Sequence, residues 1–208
     1  MRIFVTGTDT GIGKTLVCSW LCAHTGFEYF KPIQTGSAED SDSSVVASLA
    51  KVAIHPEIYR YKAPVSPHWA AALENERIEL IQIQTPRLDR LIIEGAGGLM
   101  VPLNDQELMI DLIQHLNAPV ILVASSRLGT INHSLLSLSV LRARGLHVLG
   151  VIMSGEPQPT STDAIEHFSE IPILATLPFL TTLTRETLLQ QPLGERLSIV
   201  LQETVCPC

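Results

Sequence analysis

The amino-acid sequence predicts an α/β fold in three layers, with a twisted parallel sheet between helices on both faces. Short apolar runs alternate along the chain with stretches of helical pattern, as in a parallel sheet whose strands are joined by helices. Runs such as 120–124 and 148–153 are apolar at every position, which is typical of strands buried on both faces. The 208 residues are 46% hydrophobic, enough for one well-buried core. We therefore expect residues 1–208 to form a single domain.

The elements are predicted from periodicity and from the turn residues between them. We predict strands, in chain order, at 3–5, 27–31, 91–93, 120–124, 148–153 and, last, 173–177. We predict helices at 16–24, 44–52, 108–116 and 134–144. The polar segment 35–44 and the proline-bounded segments 64–67 and 156–159 are predicted to be loops.

The segment after the first strand reads Gly7-Thr-Asp-Thr-Gly-Ile-Gly-Lys-Thr15. A strand, a glycine-rich loop, a Lys-Thr pair and a helix in this order bind nucleotide phosphates. Glycines at positive φ turn backbone N–H groups toward an anion, and the helix N-terminus adds partial positive charge. We predict that Lys14 reaches the β- and γ-phosphates and that Thr15 binds Mg²⁺. Five residues separate Gly7 from Gly13 instead of the usual four, so a turn that binds nothing stays an alternative.

Charged residues are expected at the carboxyl ends of the strands, where parallel sheets bind ligands. Glu94 directly follows the apolar run 91–93, and Asp42 lies in the polar loop after the second strand. Both can complete a Mg²⁺ site with Thr15. The alternatives to metal binding are that Glu94 is a turn or helix-cap residue and that Asp42 is exposed to solvent in an acidic loop. Lys31 ends the second strand and is predicted to neutralise phosphate charge, the alternative being a lysine at the sheet edge.

The net charge of −7 argues against nucleic acid as a partner, because no basic excess is available to neutralise phosphates along a duplex. Nothing resembles a signal peptide, and the apolar runs are too short to span a bilayer. We therefore expect a cytoplasmic protein with no membrane partner.

The cysteines and histidines give weaker signals. Cys18 and Cys22 are four residues apart on the first predicted helix and are expected to be buried as small hydrophobic residues. A zinc site built from these two with Cys206 and Cys208 stays a hypothesis, disfavoured because the tail lacks the usual paired spacing. Asn132 is predicted to cap the helix that begins at Ser134. The neighbouring His133, like His68, is more often structural than catalytic.

Five segments, taken together and in order, resemble the ATP-dependent dethiobiotin synthetase family, whose fold is P-loop NTPase-like. They are the phosphate loop ending at Thr15, Lys31-Pro-Ile-Gln-Thr-Gly36, Ser66-Pro-His68, Glu94-Gly-Ala-Gly-Gly98 and Leu128-Gly-Thr-Ile-Asn-His133. The longer glycine spacing is also a feature of this family. The resemblance covers nearly the whole chain.

The resemblance implies that the chain uses ATP, Mg²⁺ and CO₂ to convert 7,8-diaminononanoate into dethiobiotin through a carbamic-phosphoric anhydride. It implies Lys14 and Lys31 as catalytic residues and a Mg²⁺ site of Thr15, Asp42 and Glu94. The nucleotide would be bound by Thr8, Asp9, Thr10, Gly11, Ile12, Gly13, Lys14, Thr15, Leu16, Asp42, Glu94, Gly95, Ala96, Gly97, Ser154 and Pro178. The diamine and its carbamate would be bound by Thr10, Lys31, Thr35, Ser66 and Asn132, the last from the partner chain of a homodimer.

One position departs from the family. Ser154 stands where the family commonly has an asparagine that recognises adenine. A hydroxyl cannot make the paired donor and acceptor contacts of an amide. We therefore expect weaker discrimination between ATP and other nucleoside triphosphates.

Two other classes of ATP-dependent protein share part of this pattern. Amide-forming synthetases that act on corrinoid carboxylates usually carry a glutamine-hydrolysing domain, for which this chain has no room. Nucleotide-switched partition or metal-delivery ATPases commonly carry a second lysine early in the phosphate loop, and residues 8–13 contain none. ATP hydrolysis that needs no diamine would favour that second class.

Overall fold

The computed structural model describes residues 2–37 and 41–203 of the chain. Its strands are β1 (Arg2–Gly7), β2 (Glu28–Phe30), β3 (Ile33–Gln34), β4 (Ile54–His55), β5 (Tyr59–Arg60), β6 (Leu91–Gly98), β7 (Val120–Ser125), β8 (Val148–Ser154) and β9 (Ile173–Leu177). Seven of them form one parallel sheet in the order β4-β2-β6-β1-β7-β8-β9, while β3 and β5 pair separately. Apolar runs predicted every sheet strand except β4, a two-residue edge strand.

The helices are α1 (Lys14–Thr25), α2 (Asp42–Ala50), α3 (Pro67–Leu73), α4 (Met109–Leu116), α5 (Thr130–Ala143), α6 (Pro159–Ser169), α7 (Arg185–Leu189) and α8 (Glu195–Glu203), with a 3₁₀ turn at Leu80–Gln82. Buried residues of α1, α2, α7 and α8 pack against one face of the sheet. Those of α3, α4, α5 and α6 pack against the other face. The predicted three-layer α/β/α class is therefore confirmed. In the described part of the chain, no helix combines the length and apolarity that a membrane span requires.

The central strand β6 is longer than predicted. The sequence indicated a strand at 91–93 followed by a loop, whereas β6 continues to Gly98. After a register shift that leaves extra residues on β6, Gly98 pairs with Gly7. A Cβ atom at Gly98 would lie 3.3 Å from the Gly7 carbonyl oxygen. The glycines thus let two backbones approach each other closely, and Glu94 lies within a strand instead of a turn.

Some predicted boundaries and one predicted cap differ from the structure, while residues 64–66 and 156–158 form loops as predicted. Helix α2 begins at Asp42 instead of Ser44, because the Ser41 side chain caps it by accepting from the Ser44 N–H at 3.2 Å. Asn132 lies in the first turn of α5, which starts after Gly129 at φ 96°. Pro67 and Pro159 each lie at the start of a helix, where the missing N–H costs nothing.

The sheet order determines where a ligand can bind. Strand β1 lies between β6 and β7, with the earlier strands on one side of it and the later ones on the other. Ligands bind to such sheets beyond the carboxyl ends of the strands, at the point where the strand order reverses. The loop after β1, which leads into α1, occupies this position.

Candidate active site

The phosphate loop is a tight turn between β1 and α1. Gly11 and Gly13 adopt φ values of 69° and 93°, which L-residues with side chains rarely adopt. Gly13 directly precedes α1, so the helix N-terminus faces the loop. Lys14 is 7% exposed, and its Nζ donates to the Asp9 carbonyl oxygen at 2.8 Å. Burial lowers the pKa of Lys14, and Lys31 lowers it further, against the opposing charge of Glu94.

Glu94 is the centre of a buried hydrogen-bond network. Only 1% of it is exposed. Its Oε1 accepts from the Thr15 hydroxyl at 2.8 Å and from Lys31 Nζ at 3.0 Å. Its Oε2 accepts from the Tyr29 hydroxyl at 2.9 Å. A buried carboxylate requires such partners, because each ionised oxygen that loses water must be compensated.

Lys31 connects two carboxylates that are far apart in the sequence. Its Nζ lies 2.5 Å from Asp42 Oδ2 and 3.0 Å from Glu94 Oε1. Burial alone would lower the pKa of Lys31, but Glu94 and Asp42 outweigh it and raise that pKa above its ordinary value. Burial alone would raise the pKa of Asp42, but Lys31 and then Thr15 lower it overall. Lys31 is 4% exposed and is therefore not a lysine on the surface of the sheet edge.

A cavity of about 700 Å³ lies at the carboxyl ends of β1, β2 and β6. It brings together most of the residues that the sequence predicted for catalysis, metal and diamine binding. Those that line it are Thr10, Gly11, Gly13, Lys14, Thr15, Leu16, Lys31, Thr35, Asp42, Ser66, Glu94, Ala96 and Gly97. Helix α2 carries Asp42 into this cavity from its first turn.

A second cavity, of about 280 Å³, lies on the other side of the phosphate loop. Of the predicted residues, it is lined by Thr8, Asp9, Thr10, Gly11, Ile12, Gly13, Leu16, Ser154 and Pro178. Ser154 ends β8 and contacts the phosphate loop, since a Cβ atom at Gly13 would lie 2.5 Å from its Oγ. Arg127, His133 and Phe179 also line this cavity.

Two predicted residues lie outside both cavities as the described residues form them. A Cβ atom at Gly95 would meet the Phe4 ring at 2.8 Å, so this position faces the core. Asn132 is exposed on α5. Cys18 and Cys22 are buried, as expected, whereas Cys206 and Cys208 lie outside the described residues. Within the described residues, no three His, Cys, Asp or Glu side chains are grouped to hold a metal.

Comparison with known proteins assigns the chain to a family. The AAA domain family model matches residues 1–187. The ATP-dependent dethiobiotin synthetase BioD of Lawsonia intracellularis is 51% identical over 197 residues, which cover 95% of this chain and 97% of that protein. The enzyme of the same name from Paramagnetospirillum magneticum is 49% identical and covers 91% and 94% of the two chains. This chain belongs to the ATP-dependent dethiobiotin synthetase family.

The fold of this synthetase-family chain is shared more widely. A ParA family ATPase from Chlorobium tepidum superposes with a TM-score of 0.56 over 98% of both chains, at 14% identity. At this identity the likeness concerns the fold alone, the P-loop NTPase arrangement of a parallel sheet between helices.

The side-chain oxygen atoms of Thr15, Asp42 and Glu94 in the larger cavity fit the Mg²⁺ that the synthetase family implies. Thr15 Oγ1 is 2.8 Å from Glu94 Oε1. The carboxylates of Asp42 and Glu94 both contact the Lys31 ammonium group. A hydroxyl and one or two carboxylates are the hard oxygen donors that Mg²⁺ prefers, with water and phosphate completing its shell.

The sequence did not single out Tyr29, Gln34 or Leu183. Tyr29 donates to Glu94, Gln34 accepts the Asp42 N–H at 3.2 Å, and Leu183 lines the larger cavity. The only feature of the sequence that pointed to Gln34 is that it lies in the same segment as Lys31 and Thr35. The contacts of Tyr29 and Leu183 depend on strand register and on the path of the chain after β9, and neither can be read from spacing.

Proposed function

We propose that this chain is an ATP-dependent dethiobiotin synthetase acting on 7,8-diaminononanoate, CO₂ and ATP. One amine of the diamine and CO₂ form a carbamate, whose oxygen attacks the γ-phosphate and releases ADP. The second amine then attacks the carbonyl of the resulting carbamic-phosphoric anhydride. Ring closure forms the C–N bond and releases phosphate, giving the ureido ring of the biotin pathway.

The observation that carries this proposal is the pair of buried lysines in one cavity. Lys14 and Lys31 both line it, together with the polar residues Thr35 and Ser66. The carbamate and the γ-phosphate are both anions, so their approach requires positive charge already in place. Phosphoryl transfer depends mainly on such positioning and charge. A cavity of about 700 Å³ is within the usual range for small-molecule sites.

Each residue has a proposed role. Lys14 would leave the Asp9 carbonyl for the γ-phosphate, and Lys31 would neutralise the carbamate. Thr15, Asp42 and Glu94 would hold Mg²⁺, which when bound neutralises phosphate oxygens. The phosphate loop would bind the phosphates. Ser154 and Pro178 would border the base. On β6, the predicted nucleotide contacts remain Gly95, Ala96 and Gly97, although Gly95 faces the core.

The diamine end of the site is proposed to be completed by a second copy of the chain. Asn132 is exposed, and Leu136, one helical turn further along α5, is 59% exposed. Leu128, just before α5, is fully exposed. Apolar side chains around a polar one are typical of an interface. A homodimer that places Asn132 at the partner's cavity therefore stays our proposal, as do the cytoplasmic location and the single domain over residues 1–208.

The test is product formation, followed by mass spectrometry, from purified protein with 7,8-diaminononanoate, bicarbonate, Mg²⁺ and ATP. We expect dethiobiotin and ADP in equal amounts, and neither from Lys14→Ala. ATP hydrolysis that is independent of the diamine, with no dethiobiotin, would overturn the proposal and favour a partition or metal-delivery type of ATPase.

A further inference from the structure

We infer that Tyr29 is a positioning residue for the proposed Mg²⁺ site. Its hydroxyl donates to Glu94 Oε2 at 2.9 Å, while Glu94 Oε1 accepts from Thr15 and Lys31. The two carboxylate oxygens therefore have different partners. The phenol occupies one oxygen and so turns the other toward Thr15 and the phosphate loop. This inference rests on the proposed function, since it concerns the metal of that same site.

Strand register brings Tyr29 to Glu94. Tyr29 on β2 pairs with Ile92 on β6, and Glu94 is two residues beyond Ile92. Side chains two residues apart share a face of the sheet, so Tyr29 and Glu94 are diagonal neighbours. Tyr29 is fully buried, and water therefore does not compete for its hydrogen bond.

The rest of the pocket explains why a neutral donor is useful there. A phenol is an uncharged donor at neutral pH, and the Tyr29 hydroxyl lies 2.9 Å from Glu94 Oε2. It compensates one oxygen without adding a second positive charge beside Lys31. Partners that orient a metal ligand in this way commonly affect metal affinity 10–100-fold.

The simpler reading is that the hydrogen bond only satisfies a buried phenol and contributes to stability. The two readings differ in what Tyr29→Phe changes. A stabilising contact would lower Tm and leave metal affinity unchanged. A positioning contact would weaken metal binding in folded protein.

The experiment uses full-length protein with ADP and Mn²⁺, followed by electron paramagnetic resonance of the free ion. We expect Tyr29→Phe to raise the Mn²⁺ dissociation constant about 10–100-fold. We also expect the Mg²⁺ concentration for half-maximal dethiobiotin formation to rise, while KM for the diamine changes less than about twofold. The matched control is Tyr61→Phe, which removes a hydroxyl from another buried tyrosine and is expected to leave Mn²⁺ binding unchanged.

Two further variants sharpen the result. In a Glu94→Gln background, Tyr29→Phe should cause no additional loss of Mn²⁺ affinity, because the carboxylate that it orients is gone. Replacement of Tyr29 by p-aminophenylalanine, which keeps a donor at the same ring position, should restore most of the affinity. Wild-type Mn²⁺ affinity in Tyr29→Phe, or an additive loss in the double variant, would overturn the inference. Wild-type protein that binds Mn²⁺ but makes no dethiobiotin would overturn the proposed function instead.

Discussion

Gly13 and Ser154 touch across the start of the first helix: a Cβ atom on Gly13 would lie 2.5 Å from the Ser154 hydroxyl oxygen. The last residue of β8 thereby contacts the phosphate loop, although the two positions are far apart in the sequence. The larger cavity and the second cavity meet at Gly13, which lines both. This contact joins the proposed base-binding and phosphate-binding parts of the site.

We expect Gly13→Ala to weaken ATP binding by at least about tenfold, roughly 1.4 kcal/mol. The added methyl group must displace Ser154 or the loop. Isothermal titration with ATP measures the change. The control is Gly26→Ala, whose backbone also has a positive φ of 67° but whose Cβ would meet nothing within 4 Å. Both variants should lose about 1–2 kcal/mol of stability from backbone strain. Equal ATP affinities in the two variants would show that the contact is irrelevant to binding.

We expect the wild-type chain to discriminate weakly between nucleotide bases, because the Ser154 hydroxyl cannot pair with two adenine atoms at once. The measurement is kcat/KM for ATP, GTP and CTP. Ser154→Asn should raise the preference for ATP about 5–150-fold, since one bidentate amide–adenine pair contributes about 1–3 kcal/mol of discrimination. A strong ATP preference in the wild type would contradict this expectation and assign base recognition to other groups.

We expect Lys31→Met to reduce kcat about 10²–10³-fold, the loss typical of removing one group that stabilises transition-state charge. Steady-state dethiobiotin synthesis measures it. The variant should also lose about 3–5 kcal/mol of unfolding free energy, because Glu94 loses its cation. Lys62→Met changes an exposed lysine and should alter neither quantity. Wild-type kcat in folded Lys31→Met protein would remove Lys31 from the mechanism.

We expect Asn132→Ala to raise KM for the diamine about tenfold or more, since a hydrogen bond to a charged group contributes about 1.5–3 kcal/mol. Affinity for ATP should be nearly unchanged, because Asn132 lies outside both cavities of its own chain. Ser139→Ala, also exposed on α5, is the control. An equal loss of ATP binding in Asn132→Ala would contradict a role at the diamine end.

We expect the thiols of Cys18 and Cys22 to be inert in the folded protein, because burial and then Glu94 raise the pKa of both. In a Cys206→Ser, Cys208→Ser background, Ellman's reagent should react only after unfolding. The folded state keeps these protons above the ordinary pKa of 9.0, at which the thiols of the unfolded chain release theirs. The unfolding free energy is therefore unaffected by these thiols below pH 9 and declines as pH rises from 9 toward the raised pKa. Urea unfolding between pH 8 and 10 should show a smaller decline in Cys22→Ala. Rapid thiol reaction in native protein would refute the burial argument.

The sequence by itself determined the fold class and the phosphate loop, because both depend on local patterns. Apolar runs predict strands buried on both faces. Gly7 to Thr15 predict an anion-binding turn, because the glycines permit positive φ and a helix follows. Lys31 ends one predicted strand and Glu94 follows another, which was also enough to predict that they meet, since the carboxyl ends of parallel strands lie at one edge of the sheet.

Only the tertiary structure decided the contacts that depend on pairing distant parts of the chain. The Tyr29–Glu94 hydrogen bond joins residues 65 positions apart and follows from the register between β2 and β6. The extension of β6 through its glycines depends on its place beside β1. The Gly13–Ser154 contact depends on how β8 ends next to the loop. Register and strand order arise from the packing of the whole core, which spacing along one segment does not encode.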